Sequence, residues 1–153
     1  VKQVIDFYSN PDNRYSVPTQ CGWEEIIEVK PFGDVVAKFD TGNGATASTI
    51  HADKLEVKGK QVIWTYNNKT ITSKVQRVAK VDVGGLNDYS EERYAVLLNI
   101  EFAGTLYKNV EFLLDDREDR SPILLNRKTM RMLNVMVNPQ RKFVVTTQYT
   151  LDK

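Results

Sequence analysis

The feature that most narrows the fold of this chain is its rhythm: short apolar, β-branched runs broken by turn residues about every eight to twelve positions. Trp23–Val29 and Val35–Asp40 read as strands joined through Pro31-Phe32-Gly33-Asp34, and Ala45–Ala52 is a small, β-branched segment suited to a crowded strand. Gln61–Tyr66 and Thr70–Val75 alternate around Asn67-Asn68-Lys69, a hairpin signal. Arg77–Val83 is a further strand closed by Gly84-Gly85, and Tyr94–Phe102 pairs with Leu106–Leu114 about Ala103-Gly104-Thr105. Arg127–Leu133 is rich in helix formers, while Val135–Val137 and Phe143–Thr147 read as closing strands around Asn138-Pro139-Gln140. Residues 1–22, with Pro11, Pro18, Asn10 and Asn13, read as an irregular arm with a strand over Val4–Tyr8, and residues 23–153 as one domain. The pattern predicts an all-β barrel or sandwich carrying one short helix.

Composition excludes several chemistries. The 153 residues suit one hydrophobic core. Twenty-one basic residues against 20 acidic ones leave a net charge of +1, which gives no reason to expect nucleic acid as a partner. Apolar runs such as Ile123-Leu124-Leu125 are too short to span a bilayer, so no membrane is expected either, and Lys2 and Asp6 interrupt any signal-like stretch. A single cysteine, Cys21, precludes an internal disulfide, and Cys21 with the lone His51 falls short of a His/Cys zinc site. No metal and no cofactor is expected. A nucleophilic triad would need His51 as its base, yet no Gly-x-Ser-x-Gly elbow accompanies it. His51 reads as a satisfied structural residue, and the mixed-charge run Asp115–Arg120 as a solvated turn. Carboxylate chemistry is what remains.

The stretch Val35–Gly42 carries that chemistry. It is an apolar strand that ends in Asp40-Thr41-Gly42. A carboxylate at the tip of a buried strand is costly to desolvate, so it has hydrogen-bond partners or a task. Asp-x-Gly is also ordinary turn chemistry, and both readings stand on these residues alone.

Three ordered segments resemble the retropepsin-like aspartic proteases, closest to the bacterial and phage group called ATP-dependent zinc proteases. They are Lys38–Gly42 followed by Ala45–Ala52, then Val110–Arg117, then Pro122–Arg127 leading into a helix and Val137-Asn138-Pro139. The match runs over residues 24–147. Asn43-Gly44 is inserted after the Asp-Thr-Gly turn, and Asn126 stands where the family has glycine, so a side chain there is expected to crowd the turn. Zinc in the family label finds no matching ligand set here.

The resemblance implies a retropepsin-like, partly closed β-barrel with one short C-terminal helix. It assigns Asp40, Thr41 and Gly42 to the catalytic turn, with Thr41 hydrogen-bonding inside it. Arg127, with Asn126 beside it, becomes a structural support buried beneath that turn and paired with an acidic residue such as Asp53. On that basis Arg127→Ala is expected to cost roughly 3–5 kcal/mol. The hairpin tip at Asn67 and Asn68 is the candidate flap. One Asp-Thr-Gly per chain implies a homodimer acting on a peptide or protein substrate, in the cytoplasm or a virion. The competing expectation is a catalytically inactive retropepsin-like domain with a structural or assembly role, for example among phage structural proteins.

Overall fold

Residues that alternate in sequence alternate in space. Glu25, Ile27 and Val29 are buried along Glu24–Val29, as are Val35, Ala37 and Phe39 along Gly33–Phe39. The computed structural model describes residues 3–6, 17–82 and 90–151. Its strands are β1 Gln3–Asp6, β2 Thr19–Gly22, β3 Glu24–Val29, β4 Gly33–Phe39, β5 Ser48–His51, β6 Lys54–Lys58 and β7 Gln61–Tyr66. They continue with β8 Lys69–Lys74, β9 Arg77–Asp82, β10 Ser90–Phe102, β11 Thr105–Asp115, β12 Ile123–Leu125 and β13 Val135–Asn138. Helix α1 is Arg127–Leu133 and α2 is Val144–Leu151.

Six strands close a barrel in the order β11-β5-β12-β4-β3-β10, with β10 returning to pair with β11. β1 and β9 extend the sheet beyond that ring. Ile27, Ile50, Ile100, Phe112, Leu114, Ile123 and Leu125 fill the interior and are almost wholly removed from water. β12 decides the layout of the site. It runs parallel to β4 and antiparallel to β5, so two consecutive strands are held apart by a third from much later in the chain. The connection from Asp40 to Ala47 must therefore pass over the end of β12, where α1 begins.

A three-stranded sheet, β6-β7-β8, packs beside the barrel. Phe32, in the turn between β3 and β4, meets the rings of Trp64 at 5.0 Å and Tyr66 at 5.5 Å. The buried indole is satisfied by Ser73 Oγ at 2.9 Å. The Asn67-Asn68 turn has φ of 49° and 63°, the left-handed pair that a two-residue hairpin needs and asparagine tolerates.

Three regions differ from the sequence expectation. The arm boundary at Gly22 falls within paired structure, because β1 lies on β11 and β2 on β13; residues 7–16, like Gly84-Gly85, lie outside the described residues. A β-carbon on Gly22 would stand 2.6 Å from the Arg141 carbonyl oxygen and 2.7 Å from Lys142 Cα, so only glycine lets β2 approach there. β6 was not expected. Phe143–Thr147, expected as a strand, enters helix α2 instead.

The cause of that last difference is Glu25, fully buried on β3. Its Oε2 accepts the N–H of Gly22 (2.6 Å), Val144 (2.8 Å) and Val145 (3.3 Å). Its Oε1 accepts the N–H and hydroxyl of Thr146, at 2.9 and 2.8 Å. The carboxylate thus caps a helix start 120 residues away in sequence and meets its partial positive charge. Burial first, and Glu25 second, push the neighbouring Cys21 thiol up to about 12, which keeps it protonated and inert.

Candidate functional site

Asp40 follows β4 directly, and its side chain is partly exposed. Its backbone N–H donates to Leu125 O at 3.3 Å, fixing the turn to β12. Its carboxylate Oδ1 accepts the Gly42 N–H at 3.0 Å, which sets the side-chain orientation. Thr41 and Gly42 are exposed, and the expected Thr41 hydroxyl bond within the turn is not formed among the described residues.

The insertion Asn43-Gly44 is ordered by its own chemistry. Asn43 N–H donates to Asp40 O at 2.9 Å, and Asn43 Oδ1 accepts the Ala45 N–H at 3.0 Å. Arg77 Nη2 holds Thr46 Oγ1 at 2.8 Å while it also donates to Glu111 Oε1 at 2.7 Å. The loop after Asp40 is therefore pinned along its length.

Asn126 does much of that pinning, and the expected crowding does not occur. It is fully buried and is the N-cap of α1, with Oδ1 accepting the Thr129 N–H at 2.9 Å. Its Nδ2 donates to Ala45 O at 2.8 Å, and its N–H donates to Ser48 Oγ at 3.1 Å. Its Oδ1 also accepts the Ser48 hydroxyl at 3.2 Å, so where a glycine would offer only backbone, this side chain ties helix, loop and β5 together. The sequence signal was an asparagine directly before a run of helix formers.

Arg127 corrects the second expectation. It is exposed rather than buried, and its guanidinium lies against Gly44, where a β-carbon would stand. It forms no ion pair with a described carboxylate, and Asp53 is engaged elsewhere. Its backbone N–H does hold Asn43 O, at 2.9 Å, a bond that alanine would keep. Arg127→Ala should therefore shift stability by no more than about 0.5 kcal/mol, the usual range for an exposed position. A thermal midpoint that falls by more than a few degrees would contradict this.

The arginine near Asp40 from inside the fold is Arg117, which the mixed-charge run concealed. It is buried, and its Nε donates to Ser121 O at 2.7 Å. Burial, and then the Arg120 cation, lower its pKa, while Asp115 and Asp40 pull it the other way. Its backbone N–H donates to His51 Nδ1 at 2.8 Å. His51 Nε2 in turn meets Asp53 Oδ1 at 2.7 Å, so both ring nitrogens are occupied and the imidazole has no free lone pair to act as a base.

Asn67 and Asn68 lie apart from Asp40. The Asn67 N–H donates to Asp53 Oδ2 at 3.2 Å, and Lys69 Nζ donates to Pro31 O at 3.2 Å. Pro31 precedes β4 and Asp40 follows it, and the seven residues of β4 between them span roughly 20 Å. The tip is a docked hairpin at the other end of β4, which does not match the expected flap over the Asp40 turn. Among the described residues, no three His, Cys, Asp or Glu side chains converge as metal ligands, and no helix is long and apolar enough to cross a membrane.

No family model matches the chain, and no curated protein matches it. Among solved structures, it is similar to the crystal structure of a protein of unknown function (DUF785) from Legionella pneumophila. The TM-score is 0.65 at 23% identity, with 83% of this chain and 98% of that one covered. At this identity the likeness establishes the fold alone.

Proposed function

We propose that the chain is a retropepsin-like aspartic endopeptidase that acts as a homodimer, each copy supplying Asp40. The observation that carries this reading is the held carboxylate: Asp40 sits at a strand-end turn, oriented by the Gly42 N–H at 3.0 Å and partly open to solvent. A turn that only needed capping would not require a loop fixed from β12, α1 and β9 together. Hydrolysis needs a second carboxylate. Two-fold symmetry supplies it by bringing Asp40 of one copy against Asp40 of the other. Two carboxylates about 3 Å apart share one proton. The ionised member takes a proton from water as that water attacks the scissile carbonyl, and the protonated member donates to the carbonyl oxygen. The exposed Thr41 and Gly42 would lie beside the two-fold axis.

Asp40→Asn keeps the shape and the Gly42 bond but removes the base. Cleavage of an unfolded protein substrate should fall by about 10²–10⁴-fold, with the circular dichroism spectrum unchanged. Full activity in the variant would exclude the dyad.

A second reading is an inactive domain with a structural or assembly role, in a phage particle or the cytoplasm. The docked Asn67-Asn68 tip favours it, because that hairpin is not placed to close over a substrate at Asp40. Absence of cleavage by the wild-type homodimer would support this reading.

A further inference from the structure

Strand β6 lies at an edge of the β6-β7-β8 sheet, and all five of its residues are exposed. The two-residue Gly59-Lys60 turn closes on the pair Lys58–Gln61. The backbone groups of Lys54, Glu56 and Lys58 therefore point at β7, and those of Leu55 and Val57 point outward. Leu55 stands opposite Trp64 and Val57 opposite Val62, on the face that carries those two buried residues. Both are 40% exposed, so the apolar row reaches the edge and stops uncovered. The opposite face carries Lys54, Lys58 and Lys74 against one acidic residue, Glu56. Between Lys54 and Lys74 the chain has five lysines and one glutamate, with no arginine or aspartate, a net +4. The whole chain carries +1, so the remainder carries −3.

We propose that β6 is a docking edge that takes up an extended acidic segment of a partner protein as an added strand. Main-chain bonds to Leu55 and Val57 supply the pairing, and side-chain alternation supplies the selection. Partner residues opposite Leu55 and Val57 are apolar and complete the row begun by Trp64 and Val62. Those opposite Lys54 and Lys58 are acidic, and the one opposite Glu56 is uncharged. The recognised pattern is acidic, apolar, neutral, apolar, acidic. A second copy of β6 does not fit it. Antiparallel pairing over all five residues, about Glu56, would set Glu56 against its own copy and Lys54 against Lys58, like charges at every charged position, and registers about Leu55 or Val57 pair only three of the five residues. The lysines that repel indiscriminate edge pairing are the ones that select an acidic strand.

The test titrates the full chain with a fluorescent peptide in which glutamate, valine, threonine, valine and glutamate follow in order between terminal glycines. Saturable binding is expected, weakened at least about tenfold by the double variant Lys54→Glu/Lys58→Glu. Both substitutions are at exposed positions, so the thermal midpoint should hold. The same peptide carrying N-methyl groups on both valines should not bind, since it cannot complete the outward ladder. The proposal is overturned if the wild-type chain does not bind. Equal binding of the N-methylated peptide, or of one with lysines in place of its glutamates, also overturns it. So does displacement of the peptide by a single-stranded oligonucleotide at equal charge concentration, which would make the face a general polyanion surface.

Discussion

Glu25→Ala should destabilise the protein by roughly 4 kcal/mol, lowering the thermal midpoint by about 8–16 °C for a chain of this size. The carboxylate accepts five hydrogen bonds at zero exposure, from Gly22, Val144, Val145 and both donors of Thr146. Truncation leaves those donors facing a cavity that water fills poorly, and the start of α2 loses its cap. Glu25→Gln should cost nearly as much, because its amide nitrogen must point at N–H groups on one side or the other. Limited proteolysis should then cut within residues 144–151 well below the melting transition. A midpoint that moves by less than about 2 °C would mean that α2 docks without the carboxylate.

Asn126→Ala should cost roughly 2–4 kcal/mol and, if the chain is the proposed endopeptidase, weaken cleavage as well. Loss of an N-cap accounts for about 1 kcal/mol, and the rest comes from losing the side chain's bonds to the Ser48 hydroxyl, buried at 3.2 Å, and to Ala45 O at 2.8 Å. The loop after Asp40 keeps only the Arg127 N–H bond to Asn43 O as its tie to α1, so the proposed cleavage should fall even at temperatures where the fold survives. Asn126→Gly separates the two effects. It keeps a tolerable cap residue but no side chain, so it should recover part of the stability without recovering the loop. Equal stability of Asn126→Gly and the wild type would show that the side chain is incidental.

The barrel was legible because its strands obey a local rule. Alternation in Glu24–Val29 and Gly33–Phe39 and the Asn-Asn turn at Asn67 need nothing from elsewhere in the chain. The same holds for α1 over Arg127–Leu133. What escaped was set by distant partners. Val144-Val145-Thr146-Thr147 has strand propensity, and only the Glu25 carboxylate across the fold turns it into the start of a helix. Arg117 sits in a charged run that reads as solvated, yet its Ser121 and His51 contacts bury it. β6 did alternate, and its signal was visible, but three charges in five residues masked it. Within the site, Asp40 and Gly42 meet as the motif implies, whereas the burial of Arg127 and the flap at Asn67 and Asn68 were carried from the resemblance and not from these residues.

If each chain brings half of a catalytic pair, subunit mixing will reveal it. A fixed amount of wild-type protein is equilibrated with increasing Asp40→Asn protein, and cleavage of an unfolded substrate is followed. If two Asp40 carboxylates are required, mixed dimers are inactive, and activity should fall in proportion to the wild-type fraction that remains paired with itself. Wild-type activity that stays constant through a tenfold excess of exchanged Asp40→Asn chain would contradict the account.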